Sequence, residues 1–299
     1  MIVKRRVKRA VTILNKGGGS AGEGAEDRVR SALAKAGVDS EIVAVQASRC
    51  ADHAADCAAK GASLVIAAGG DGTISSVAGA LAGTGATMGI LPLGTLNHFA
   101  RDLGISFDLE EAAALIATGT KRRVDVAEVN GRVFINNSAI GLYPLMVIDR
   151  EAQQKKLGRS KWLALLVASA RTLARFGHQR LQLTINDRPA ETSTPLLFVG
   201  NNDYQLELPA AGSRESLDDG KLCVLVMRSK GRAGFVAATL RALLGRTRGD
   251  DMARLANVQT LRVDSRRSSL PVAMDGETNY MAPPLNYRIR PGALQVIAP

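Results

Sequence analysis

The chain has 299 residues, 46% hydrophobic, 22% charged and 4% aromatic, and its 39 basic and 28 acidic side chains leave a formal charge of +11. At about 150 residues per domain this length suggests two domains, and the composition excludes a disordered chain or a disulfide-stapled miniprotein. The positive excess points to a polyanionic partner. With so few aromatics and no basic run interleaved with them, nucleotide phosphates or an anionic lipid surface fit better than nucleic acid, and simple solubility is the plainer alternative.

The basic segment Lys4–Arg9 leads into Ala10–Leu14, an apolar run too short for the core of a signal peptide. It reads as a first strand. No stretch reaches the ~18 apolar residues of a membrane span, so a cytoplasmic protein is expected. Gly17, Gly19 and Gly22 have the spacing of a dinucleotide fingerprint, but the next strand ends Val45-Gln46-Ala47 without the acid that would hold a ribose. An anion-binding turn is the better reading of that cluster.

A helix is predicted over 25–36, stopped by Gly37, then a strand over 41–45 and a helix over 51–60, stopped by Gly61. Cys50, His53 and Cys57 share a face of this second helix, yet no fourth ligand stands nearby. Reduced cysteines on a packed helix are expected, and with Cys223 they make no disulfide framework. A strand over 63–68, a helix from about 75 to 82, a strand over 88–91 and a helix over 97–103 complete a strand–helix alternation. It implies a doubly wound parallel sheet.

Two loops of this half carry the chemistry. Leu64–Ala68 delivers the chain into Gly69-Gly70-Asp71-Gly72-Thr73, where glycines let backbone approach a ligand and a following helix presents its N–H groups to an anion. Asp71 makes sense beside a divalent cation or nucleotide hydroxyls; otherwise the segment is a tight turn with Asp71 or Thr73 capping the helix. Leu93-Gly94-Thr95-Leu96-Asn97 follows the next strand, and both loops belong at the edge where such sheets bind ligands.

From about residue 124 strands dominate. Val124–Val129 and Arg132–Asn136 flank Asn130-Gly131 as a hairpin. Further strands are predicted over 181–185, 195–199, 222–227, 260–263, 272–274, 287–290 and 293–297, the last two separated by a Pro291-Gly292 turn. Helices are predicted over 152–177 and 232–248. Lys155–Phe176 carries Trp162, Leu163, Leu165 and Leu166 among lysines and arginines. It suits either a core helix or one lying in an anionic headgroup layer, with Arg241, Arg246 and Arg248 extending the basic surface. Asp218-Asp219-Gly220 and Asp275-Gly276 are, on their own, turns.

The ordered set GGDGT at 69–73, LGTLN at 93–97, GNN at 200–202, LDDGKL at 217–222 and MDGE at 274–277 resembles the diacylglycerol kinase catalytic superfamily of the bacterial lipid kinase type. The resemblance runs over nearly the whole chain. It implies a nucleotide-binding α/β domain over residues 1–123, onto which the C-terminal tail packs back, and a β-rich lipid-substrate domain over 124–299, with the active site in the cleft between them. It implies ATP as phosphate donor on Gly69, Gly70, Asp71, Gly72, Thr73, Thr95 and Asn97. It further implies Glu277 as the catalytic acid–base group, with Asp275 orienting it or meeting the nucleotide. A structural Mg2+ is implied on the Asp219 carboxylate and the carbonyls of Ser216 and Lys221. The usual Asn-Pro after the first strand is Asn15-Lys16 here, and Gln46-Ala47-Ser48 stands where relatives often carry a threonine near ATP.

The expected activity is therefore ATP-dependent phosphorylation of a diacylglycerol-like lipid hydroxyl in phospholipid metabolism. The expected partners are the lipid and an anionic membrane surface touched peripherally at its inner face, and no nucleic acid. The alternatives are an NAD kinase, since GGDGT occurs there too, and a nucleotide- or lipid-binding regulator without catalysis.

Overall fold

The computed structural model describes residues 10–17, 24–141, 144, 177–205, 212–228, 231–243 and 251–299. These divide into two compact units. The first holds the described residues up to Val126 with Ser216–Asp218 and Arg290–Pro299; the second holds those of Ala127–Glu215 and Asp219–Ile289. Residues 152–176 of the predicted helix over 152–177, the segment Lys4–Arg9, Gly19, Gly22, Arg246 and Arg248 lie outside the described residues.

The first unit runs β1 (Ala10–Asn15), α1 (Ala25–Lys35), β2 (Ser40–Val45), α2 (Cys50–Ala59), β3 (Leu64–Gly69), α3 (Asp71–Leu81), β4 (Thr87–Pro92), α4 (His98–Asp102), α5 (Leu109–Thr118) and the start of β5 (Thr120–Val129). Its strands lie in the order β2-β1-β3-β4, and the end of the last strand, β16 (Leu285–Ala298), adds beside β4. The pairs β1–β2, β1–β3, β3–β4 and β4–β16 are all parallel. Every residue of β3 and β4 is buried, as continuous apolar runs covered on both faces require. Helix α1 packs with α5, and α2 with α3. Because crossovers are right-handed, the reversal of direction at β1 puts these pairs on opposite faces. Helices α1 and α2 end where the glycine stops predict, with Gly37 at φ 73° and Gly61 at φ 80°.

Two details differ from expectation. Helix α3 begins at Asp71 rather than near residue 75, because Gly70 takes the extended cap conformation and the helix starts at once. An acid in the first turn is then favourable. Helix α5 was not anticipated, although Asp108 caps it by accepting the N–H groups of Glu110 and Glu111 at 2.9 and 3.0 Å.

The second unit contains the end of β5, then β6 (Arg132–Phe134), β7 (Asn137–Gly141), β8 (Gln179–Ile185), β9 (Arg188–Thr194), β10 (Leu196–Asn201), β11 (Leu222–Met227), α6 (Arg232–Leu243), β12 (Met252–Val258), β13 (Thr260–Asp264), β14 (Leu270–Met274), β15 (Glu277–Met281) and the start of β16. The β5–β6 hairpin turns through Asn130 and Gly131, both at positive φ (47° and 80°), as a type I′ turn demands. One antiparallel layer is β16-β13-β8-β9; the other is β12-β11-β10-β7-β14-β15. Period-two burial, seen in β13, turns one face of each layer inward. Leu181, Leu183, Leu261, Val263 and Tyr287 of the first layer share one core with Ile140, Leu197, Val199, Val224 and Val272 of the second, which is sheet-on-sheet packing. The Tyr287 hydroxyl reaches Ser138 Oγ at 3.1 Å, and burial pushes its ionisation well above the ordinary phenol range.

Strands β7, β9, β12 and β15 escaped the sequence reading. The Pro291-Gly292 turn does not occur: β16 runs through it as one strand. Gly292 bends there at φ 58° and gives its N–H to Asp125 Oδ1 at 2.8 Å instead of to a ladder. The strand thus pairs antiparallel with β13 before the bend and parallel with β4 after it.

Candidate active site

In the first unit, β2 and β3 flank β1, so the chain leaves the carboxyl ends of β1 and β3 in opposite directions. Such a switch point is the crevice where open α/β sheets bind ligands. Asn15 ends β1 and Gly69 ends β3. The buried Asn15 donates Nδ2 to Thr73 Oγ1 at 3.0 Å, and its Oδ1 accepts the Gly17 N–H at 3.0 Å. The Thr73 oxygen is thereby occupied as an acceptor, leaving its hydroxyl proton to donate. The N-cap of α3 is Gly70, which has no side chain to cap it, so the N–H groups of the first turn, Asp71 to Thr73, have no partner within the helix and add to the positive end of its dipole.

The two glycine loops come together. Leu93 N–H donates to the Gly69 carbonyl at 2.9 Å. A Cβ on Gly94 would lie 2.6 Å from Gly70 Cα, and one on Gly69 would lie 2.6 Å from Thr73 Oγ1. Only glycine lets the backbones meet here. Asp71, expected beside a cation or nucleotide hydroxyls, also ties the two loops together. Its Oδ2 accepts the N–H of Asn97 at 2.9 Å and its Oδ1 that of His98 at 2.7 Å, so the acid of the first loop caps the helix that follows the second. Asn97 is likewise used within its loop: Oδ1 accepts the Gly94 N–H at 3.0 Å and Nδ2 donates to the Gly94 carbonyl at 2.9 Å. Asp71 and Asn97 therefore shape the loops, while Gly72, Thr95 and Leu96 are exposed on them.

In the second unit, β14 and β15 form a two-residue hairpin with Met274 opposite Glu277. Asp275 and Gly276 both have positive φ (46° and 89°), so the MDGE motif is a type I′ turn. The Asp275 carboxylate does not hang free: it accepts the N–H groups of Ile135, Asn136 and Asn137 at 2.9, 2.8 and 3.1 Å. Glu277 follows, exposed, and among the described residues its carboxylate has no hydrogen-bond or ion-pair partner. Of the expected catalytic pair, one acid is a fastener and the other is available.

The GNN segment ends β10. Asn201 and Asn202 are both fully buried, Asn202 has φ 62°, and its side-chain amide has no partner among the described residues. A buried polar group in that condition is costly unless water or a ligand meets it. Nearby, Lys221 Nζ pairs with Asp203 at 2.9 Å and lies 3.9 Å from Asp219 Oδ2; hydrogen bonding to Asp203 holds the lysine above its usual pKa range. The Lys221 carbonyl accepts the Asn202 N–H at 3.1 Å, which leaves it one lone pair. In the first unit, Ser216 Oγ bonds Asp218 Oδ1 at 2.5 Å and Arg122 reaches the same carboxylate at 3.3 Å, and the serine first, then the arginine, holds Asp218 below the usual carboxylate range. Among the described residues no three His, Cys, Asp or Glu side chains cluster as a metal set. One carboxylate, Asp219, with backbone carbonyls still suits magnesium, which takes oxygen ligands and keeps several waters. Cys50 and Cys57 are free thiols on α2, and burial raises the pKa of each.

Arg214 and Asn136, both buried beside Asn201, were not anticipated. A lone arginine between turns and an asparagine after a strand carry no sequence signal of their own; GNN at 200–202 was the only flag to this neighbourhood.

Comparison with known proteins places both halves. Residues 9–129 match the family model "Diacylglycerol kinase catalytic domain", and residues 146–298 match "YegS C-terminal NAD kinase beta sandwich-like domain". A protein of Pseudomonas aeruginosa named "Probable lipid kinase YegS-like" is 34% identical over 247 residues, covering 81% of this chain and 78% of its own length. The "Diacylglycerol kinase" of Bacillus subtilis (strain 168) is 28% identical over 254 residues, covering 83% and 82%. A crystal structure titled as a diacylglycerol kinase from Bacillus anthracis shares the fold, with a TM-score of 0.69 at 21% identity over 98% of this chain and 97% of that one.

Proposed function

The chain belongs to the diacylglycerol kinase catalytic family, and on that premise we propose that it is an ATP-dependent lipid kinase acting on a diacylglycerol-like hydroxyl. The observation that carries this reading is the pair of glycine loops joined at the switch point by the Gly70–Gly94 approach and the Asp71 clasp. The amides of Asp71 to Thr73, which have no partner within α3, are in keeping with a triphosphate at this junction. Residues 1–123 are proposed as the nucleotide domain and 124–299 as the lipid-substrate domain.

Phosphoryl transfer needs in-line placement and neutralisation of charge on the γ-phosphate more than covalent help. The Gly69–Thr73 and Gly94–Asn97 loops hold the triphosphate, with the Thr73 hydroxyl as a donor and Thr95 at the loop tip. The lipid oxygen bonds to the γ-phosphorus, the bond from that phosphorus to the bridging oxygen of ADP breaks, and the lipid proton passes to Glu277. An alcohol has too high a pKa to ionise beforehand, so its proton leaves as the bond to phosphorus forms. Asp275 sets the direction of Glu277. Magnesium, when bound, supplies charge neutralisation and local order; Asp219 with the carbonyls of Ser216 and Lys221 is its proposed site.

The lipid must be met at a membrane. Among the described residues no helix is long and apolar enough to cross one, and the +11 charge supports peripheral contact with an anionic, cytoplasmic face. Replacing Glu277 by Gln is expected to lower transfer by about 10²- to 10⁴-fold while ATP still binds. Near-normal turnover in that variant would remove Glu277 from the role. The match of residues 146–298 to an NAD kinase-like sandwich keeps a second reading open; NADP formation from NAD and ATP without lipid would establish it. ATP binding with no transfer to any lipid would mark a regulator.

A further inference from the structure

The backbone of Ile135–Asn137 is gripped from two sides. Asp275 takes its three N–H groups. From the other side Arg214 donates Nη1 to the Ile135 carbonyl at 2.6 Å and to the Asn201 carbonyl at 3.2 Å, and Nη2 to Asn136 Oδ1 at 2.9 Å. Asn201 adds its Nδ2 to the Ile135 carbonyl at 3.0 Å and its N–H to the Asn136 carbonyl at 2.8 Å. Arg214 is 5% exposed, Asn136 5% and Asn201 0%. The guanidinium lies 5.3 Å from the centroid of the Tyr204 ring, which meets Phe198 edge-on at 5.4 Å. Burying a guanidinium is expensive unless its donors are engaged, and a planar fork serves three separate acceptors in a way one ammonium does not.

What this fork holds is the anchor of the catalytic hairpin. A Cβ on Gly276 would find nothing within 4 Å, so side-chain packing does not steady the turn there. It is held by Asp275, whose carboxylate accepts the three N–H groups and whose own N–H donates to the Asn137 carbonyl at 2.9 Å, and the segment it holds is the one Arg214 also holds. We propose that Arg214 is a positioning residue for phosphoryl transfer, acting through Ile135–Asn137 and Asp275 on the direction of Glu277. This rests on the reading of Glu277 as the group that takes the lipid proton.

The test is a double-variant cycle with radiolabelled ATP, magnesium and dioctanoylglycerol in detergent micelles, with turnover expressed per ATP-binding site. Arg214→Met is expected to lower kcat by about a hundredfold, the scale of a displacement near 1 Å, without changing KM for ATP; Arg214→Lys should fall between it and the parent. In a Glu277→Gln background the same Arg214→Met change should cost no further rate, because the group it positions is gone. An equal loss in both backgrounds would mean a merely structural role and overturn the proposal, as would unchanged kcat in folded Arg214→Met. If Arg214→Met has no cooperative thermal transition, Asn136→Ala, which removes one acceptor of the fork, must show a loss confined to the Glu277 background, and otherwise the proposal fails. Normal turnover in Glu277→Gln alone, or no transfer to this lipid by the parent chain, defeats the underlying reading instead.

Discussion

Gly94 shows how narrow the tolerance is at single residues. An added methyl there would stand 2.6 Å from the Cα of Gly70 and equally close to Asn97 Oδ1, so one loop must retreat. Gly94→Ala is expected to cost about 1–3 kcal/mol of stability, as overpacking does, and to weaken ATP binding measured by titration calorimetry. A variant with parental stability and affinity would show that the two loops do not need this contact. The residue types were legible in the sequence here, and their division of labour was not. Asp71 reads as a partner of a cation or of nucleotide hydroxyls, and the resemblance gives Asp275 as orienting Glu277 or meeting the nucleotide. Each accepts backbone amides from a segment distant in sequence, at 97–98 and at 135–137. A long-range hydrogen bond leaves no periodicity to read.

Elements show a related pattern. Strands β1 to β4 and the glycine-stopped helices α1 and α2 were readable because each is long, apolar and punctuated. Helix α5 was passed over even though Asp108, Glu110 and Glu111 spell out a capped start; its core-facing alanines resemble a loop's small residues more than an amphipathic stripe. Asp108→Ala should cost about 1 kcal/mol in urea denaturation and leave kinase turnover unchanged, since α5 packs on α1 and β4 and its first turn pairs with the end of α1 through Glu110 and Lys35. A change in KM for ATP would mean the helix reaches the site. Strands β9, β12 and β15 went unread for another reason. Their burial is patchy, with mostly exposed or half-buried residues, because each is an outer member of its layer. Pro291-Gly292 misled in the opposite sense: a turn dipeptide serves as a bend at which one strand exchanges partners.

At the scale of the whole molecule, β16 is the last strand in the sequence, yet it begins in the antiparallel layer of the second unit and ends beside β4 in the first. Ser216–Asp218 likewise belongs to the first unit although both flanks belong to the second. The first unit therefore takes in these later pieces beside the described residues up to Val126. The matches that show membership of the diacylglycerol kinase family span that same length, and so does the proposed chemistry: glycine loops before residue 100 and an acid at 277. The most direct measurement incubates the chain with radiolabelled ATP, magnesium and fractionated lipids, then separates the product between chloroform and water. Transfer of label into a chloroform-soluble phospholipid, lost in Glu277→Gln, is the predicted result; label that appears only in a water-soluble nucleotide, or in no product at all, contradicts the account.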